Sequence, residues 1–315
     1  MKLPQRVRIA EVGPRDGLQS LERMYPTEVK LELIDILASA GIETIEVTGF
    51  VRSDVIPQLS DAAELFARLE RRPGTTYRAL VPNLKGARRA ADVKVDEMLG
   101  LIVASDSYSK KNSNMTVEEN LEQLVQMAAV SRESEIPLVV AIGCAMFCPY
   151  EGDTPPERVL DIIDRLWGEG IRSFYVATSV GLDGPGTVYH LCTRIMERWP
   201  ALALGVHLHN TNGMALANAF AGALAGAQFF EGSICGIGGG IRMPYGMAPY
   251  GNVSTEDLVH MFAESGVDTG LELDAVLGAA RRIKDLLGLE TTHSYALQGA
   301  TKATVLEQGK TAARR

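Results

Sequence analysis

Eight short apolar runs rich in β-branched residues recur along the chain. Between them lie stretches whose apolar residues return every three or four positions. The runs read as strands at 6–12, 44–50, 76–82, 98–105, 138–145, 173–179, 203–209 and 229–239. Helical periodicity fills 27–40, 117–131, 155–168, 187–198 and 213–226. Thr116 and Glu119 stand in capping-box spacing, which marks a helix start. Eight strands alternating with helices over roughly 250 residues are what an α/β chain needs to close a (β/α)8 TIM barrel. A doubly wound open sheet is the competitor. No G-x-G-x-x-G follows the first run, and polar clusters follow several different strands, so the barrel is the better reading. The barrel is expected over 6–266, with C-terminal helical cover over 267–315, in a single domain.

Composition narrows the partners. The 315 residues are 46% hydrophobic and carry a net charge of −8, which argues against a nucleic-acid or anionic-membrane surface. No uninterrupted apolar span approaches 18 residues, and the opening MKLPQRVRIAEV lacks the apolar core of a leader peptide. Four cysteines are too few for a disulfide scaffold. A cytoplasmic protein is expected.

Barrel enzymes work at the C-terminal ends of their strands, and the unusual residues of this chain sit there. Arg15 and Asp16 follow the first strand, Glu46 is near the end of the second, His207 and His209 end the seventh, and Asn252 lies beyond the eighth. His-x-His in a strand puts both imidazoles on one face, because side chains alternate with period two. Closure makes the first strand a neighbour of the eighth, so these positions converge. Two imidazoles, a carboxylate and a carboxamide oxygen suit an octahedral Mg²⁺ or Mn²⁺, with catalytic Zn²⁺ or Co²⁺ also compatible. The plain alternatives are hydrogen-bonded core histidines and, for Asp16, a turn or helix cap.

"EVGPRDGLQ", "IEVTGFV", "VPNLKG", "KKNSN", "CPYEGD", "HLHNTNGMALAN" and "YGNVSTEDLVHM" occur in this order over about residues 6–290. In this the chain resembles the 3-hydroxy-3-methylglutaryl-CoA (HMG-CoA) lyases, metal-dependent TIM-barrel enzymes. The resemblance implies that Asp16, His207, His209 and Asn252 hold the metal and that Arg15 polarises the thioester carbonyl with Glu46 beside it. His207, or a group near it, would act as base. Gln19, in the R-D-G-x-Q element, is expected at the substrate. Lys110 and Lys111 match a family pair that could meet CoA phosphates, although a solvated charge pair explains them equally well.

The chain also departs from the family. Gly240 stands where the lyases carry a loop cysteine in G-x-G-G-C-P, Thr178 replaces the carboxylate of G-D-T-x-G, and Asn210 replaces that of H-x-H-D-T. In the longer loop, Arg242 is a candidate partner for a substrate carboxylate, and Tyr245 or Tyr250 for the missing proton donor. Cys235 reads as a buried residue inside the eighth strand, and Cys144 and Cys148 as structural. The expected function is a divalent-metal-dependent carbon–carbon lyase cleaving a β-hydroxyacyl-CoA, HMG-CoA or a related thioester, into a carbonyl product and an acyl-CoA. Two alternatives stay open: a Claisen-type synthase condensing acetyl-CoA with an α-keto acid, and a non-catalytic CoA- or metal-binding homologue. The expected partner is an acyl-CoA substrate, with no nucleic acid and no membrane, and a homo-oligomer stays open.

Overall fold

The computed structural model describes residues 2–238, 251–299 and 302–312. Strands β1 (Arg8–Glu11), β2 (Thr44–Gly49), β3 (Thr76–Val81), β4 (Glu97–Val103) and β5 (Leu138–Gly143) come first. A small antiparallel hairpin of β6 (Phe147–Cys148) and β7 (Gly152–Asp153) is next, then β8 (Ser173–Thr178), β9 (Ala203–Leu208) and β10 (Phe229–Gly232). All but the hairpin join in one closed parallel barrel, sealed where β1 pairs with both β2 and β10. This is the expected (β/α)8 architecture.

Helices α1 (Thr27–Ser39), α2 (Ala62–Arg68), α3 (Leu84–Asp92), α4 (Asp106–Ser113), α5 (Val117–Ser134), α6 (Pro156–Gly168), α7 (Pro185–Arg198), α8 (Ala215–Leu224) and α9 (Thr255–Glu264) surround it. They are succeeded by α10 (Leu273–Leu287) and α11 (Lys302–Ala312). α2, α3 and α4 are too short, at 7 to 9 residues, to show a helical period in the sequence. α5 starts on the Thr116–Glu119 capping box, with both reciprocal bonds formed. Among the described residues no helix is long and apolar enough to cross a membrane.

Alternation along each strand divides the side chains. Ile9, Ile45, Val140, Val176, Val206 and Phe230 join the main core with Leu33, Leu124, Ile163, Ile195 and Phe262 of the helices. Burying each such side chain contributes about 1.5–3 kcal/mol. A second cluster of Leu80, Leu99, Val139, Ala141 and Tyr175 lies on the alternate strand positions. Gly205 makes room for it, because a Cβ there would stand 2.3 Å from the Tyr175 ring. Charged Glu46, Arg78 and Glu231 are equally buried, at 0–2% exposure.

The eighth run ends sooner than its sequence implied. β10 stops at Gly232, and Ile234–Gly236 form a 3-10 turn in which Cys235 has φ +59°. Cys235 therefore lies beyond the strand, although it is buried as expected. The reason is side-chain capture of the backbone. Ile234 N–H donates to Glu11 and Cys235 N–H to Glu256, so these amides leave the ladder.

Candidate functional site

After β1 the chain enters a π-helical turn, Gly13–Gly17, rather than an open loop. The Val12 carbonyl accepts from the amides of Arg15 (3.1 Å), Asp16 (2.7 Å) and Gly17 (3.2 Å). Such turns recur at functional sites, where they bunch side chains tightly. The glycines give room to the chain itself: a Cβ on Gly17 would come within 2.7 Å of Ile237. Arg15 and Asp16 are thereby held, nearly buried, at the end of β1.

His207 meets them from β9, and His209 from the first position past its end. His207 Nδ1 lies 2.7 Å from Glu231 Oε2, and His209 Nδ1 lies 2.8 Å from the Ser179 carbonyl. A carboxylate and a carbonyl both accept, so each ring carries its proton on Nδ1, as the hydrogen-bond network assigns it. The two Nε2 atoms stand 3.0 Å apart. In neutral rings two lone pairs then face each other, an arrangement that calls for a proton or a metal ion between them. Asp16 Oδ2 is 3.8 Å from His209 Nε2, and ligand atoms of Asp16, His207 and His209 all lie within 4.8 Å of one another.

Asn252 completes the group. Its backbone bridges to His209, and its Nδ2 donates to Asp16 Oδ2 at 2.7 Å. Asn252 Oδ1 is buried with no hydrogen-bond partner among the described residues. A half-turn of the amide exchanges the two atoms and puts that oxygen beside Asp16 Oδ2. Asp16, His207, His209 and Asn252 thus present the donor set that a hard or borderline divalent cation takes.

The electrostatics fit. Burial alone would raise the Asp16 carboxyl, but the Arg15 charge and the nearby imidazoles hold it well below the usual carboxylate range. Burial would likewise depress His207, and its bond to Glu231 and the charges of Glu231 and Asp16 raise it instead.

Beneath the mouth runs a buried circuit. Arg15 Nε donates to Glu46 Oε1, and its Nη1 donates to Asp16 Oδ1 at 2.6 Å. Glu46 Oε2 accepts from Arg78 Nη2 at 2.8 Å, and the same nitrogen donates to Glu231 Oε1. With both oxygens taken by guanidinium groups, Glu46 touches Arg15 rather than the open mouth. Arg78 and Glu231 are not among the residues singled out by sequence. Their signal was present: each is a lone charge in the middle of an apolar strand, "TYRALV" and "FFEG".

The remaining expected residues are spread more widely. Gln19 Nε2 donates to Asp16 Oδ1 at 2.8 Å, beside the cluster. Lys110 and Lys111 lie exposed in the last turn of α4, with the Lys111 ammonium 4.2 Å from the Tyr150 ring. Arg242, Gly240, Tyr245 and Tyr250 lie outside the described residues. Thr178 Oγ1 accepts from the His209 amide at 3.2 Å, so it supports the histidine backbone. Cys144 and Cys148 are buried, and Cys148 Sγ contacts Ser105 Oγ at 3.0 Å.

An HMGL-like family model matches residues 6–283. Rat cytoplasmic 3-hydroxy-3-methylglutaryl-CoA lyase is 38% identical, over 96% of this chain and 87% of its own length. Chicken mitochondrial hydroxymethylglutaryl-CoA lyase is 36% identical, over 91% of this chain and 96% of its own. The Bacillus subtilis HMG-CoA lyase structure superposes with a TM-score of 0.90 at 34% identity, covering 95% of this chain and 99% of that one. An Acinetobacter baumannii HMG-CoA lyase, solved with coenzyme A and 3-methylmalate, gives 0.89 at 30% identity, covering 95% and 96%. Sequence and structure agree over nearly the whole length, and the chain belongs to the HMGL-like family.

Proposed function

We propose that this protein is a carbon–carbon lyase that cleaves a β-hydroxyacyl-CoA thioester, HMG-CoA or a close relative, with Mg²⁺ or Mn²⁺ held by Asp16, His207, His209 and Asn252. The observation that carries it is the facing pair of Nε2 atoms, 3.0 Å apart beside the Asp16 carboxylate, which Arg15 in turn pairs. Likeness to lyases named for HMG-CoA, one of them solved with coenzyme A, supports the substrate class.

In cleavage the hydroxyl proton leaves, the bond between the α and β carbons of the acyl group breaks, and the carbinol carbon becomes a carbonyl. The electron pair moves onto the thioester as an enolate, which takes a proton to give the acyl-CoA. A bound divalent cation supplies positive charge toward the substrate oxygens. Arg15 supplies the second pole. It commits Nε to Glu46 and Nη1 to Asp16, and among the described residues Nη2 has no partner and can donate to the enolate oxygen. His207, or a group near it, would take the hydroxyl proton, and Glu231 at Nδ1 would steady a positive ring. We place this chemistry in the cytoplasm.

A panel of HMG-CoA and other β-hydroxyacyl-CoAs, assayed with Mg²⁺ and with Mn²⁺, tests the reading. A carbonyl product with an acyl-CoA is expected. Thiol release from acetyl-CoA plus an α-keto acid would reassign the protein as a synthase, and CoA binding with neither reaction would make it a binding homologue.

A further inference from the structure

Arg78 is wholly buried, at 0% exposure, in the middle of β3. Its register partners are Glu46 on β2 and Glu97 on β4. A single guanidinium nitrogen, Nη2, nevertheless reaches two carboxylates: Glu46 Oε2 at 2.8 Å and, two strands further round the barrel, Glu231 Oε1 on β10. β1 stands between, and there the register partner of Glu231 is Ala10, whose methyl leaves the crossing open. The Tyr175 ring supports the guanidinium from another side, 5.2 Å from its centre.

Each carboxylate splits its oxygens in the same way. Glu46 gives Oε2 to Arg78 and Oε1 to Arg15; Glu231 gives Oε1 to Arg78 and Oε2 to His207. The chain Arg15–Glu46–Arg78–Glu231–His207 is therefore unbroken. It joins two guanidinium groups to two carboxylates, and Arg15 also pairs with Asp16 at 2.6 Å while Arg78 Nη1 lies 3.9 Å from Glu97. Partners of this kind fix both the tautomer and the orientation of a ligand imidazole.

We propose that Arg78 is a positioning residue, whose guanidinium clamps Glu46 and Glu231 and so sets Arg15 and His207 at a fixed separation across the reaction site. The proposal rests on the metal-dependent function proposed for the protein. Arg78 touches no substrate atom; it acts through the two carboxylates. Removing it leaves two buried carboxylates sharing no cation, so each is free to turn away from the group it holds.

Arg78→Met keeps the bulk and removes the charge. Mn²⁺ affinity measured by calorimetry is expected to weaken about 10- to 100-fold, the range seen when partners of ligands are lost. At saturating Mn²⁺, kcat should fall with KM little changed. Arg78→Lys, which can hold one carboxylate, should recover part of both. In case the single variant folds poorly, Arg78→Met with Glu231→Gln removes the unpaired charge: thermal stability should return toward wild type while Mn²⁺ affinity and kcat stay low. A folded single or double variant with wild-type Mn²⁺ affinity and kcat overturns the proposal. Wild-type protein that binds no Mn²⁺ overturns the metal reading and this inference together, so the two failures are told apart.

Discussion

At the scale of single residues, each histidine spends its Nδ1 proton on a protein oxygen, which leaves Nε2 as the working atom. The pair was legible in the sequence because H-x-H in a strand can only face one way. Which nitrogen would face inward was not legible, because it depends on Glu231 from another strand and on the Ser179 carbonyl. Arg15 presents a similar case. Its position after the first strand is plain in "PRDG", but its fork is bound on two sides, by Glu46 and Asp16. A lysine ammonium cannot span both partners and still meet an enolate oxygen. Arg15→Lys should lower kcat by about 10²–10³, the loss expected for one oxyanion donor, with KM nearly unchanged. A normal kcat with a raised KM would make Arg15 a binder of the ground state.

At the scale of elements, strand positions were readable from β-branched runs, but the turns at the strand ends were not. The π-helical turn after β1 needs one carbonyl to accept three amides, and the 3-10 turn after β10 needs two distant carboxylates. Those carboxylates, Glu11 and Glu256, are fully buried and tie the turns to each other and to α9. Burial pushes Glu11 up to about 7 and Glu256 up to about 8, the latter helped by the charges of Glu11 and Asp257. The folded state thus keeps protons that the unfolded chain releases near pH 4.5. Stability from these groups is complete below that value and drains away as pH climbs through 7 and 8, on the order of a few kcal/mol. Melting temperature should therefore fall between pH 5 and 8.5. Glu256→Gln, which cannot ionise, should flatten that fall. An equal slope in the variant would show that the proton is not held there.

At the scale of the whole molecule, closure turns a scattered set of residues into a site. Asp16 and Asn252 are 236 positions apart in sequence, and their side chains approach to 2.7 Å. Sequence alternation was enough to foresee a barrel, and with it the convergence of the first and last strands. The lone charges in "TYRALV" and "FFEG" marked a charged interior, but their pairing was not legible, because Arg78 and Glu231 stand 153 positions apart. The proposed ligand cluster also spans the seam where β10 and β1 meet, so a cation bound there would join the two ends of the barrel chain. A ligand that binds only the folded state at 100 times its Kd adds about 2.7 kcal/mol of stability. For a chain of 315 residues, with unfolding entropy of roughly 2 cal/mol/K per residue, that raises the melting temperature by about 4 °C. Adding Mn²⁺ to EDTA-treated protein should produce this shift, and His209→Ala should abolish it while the fold remains. Lys110→Ala, at an exposed position in the last turn of α4, should retain the shift in full. An unchanged shift in His209→Ala would move the cation away from the seam and leave a shared proton between the two imidazoles.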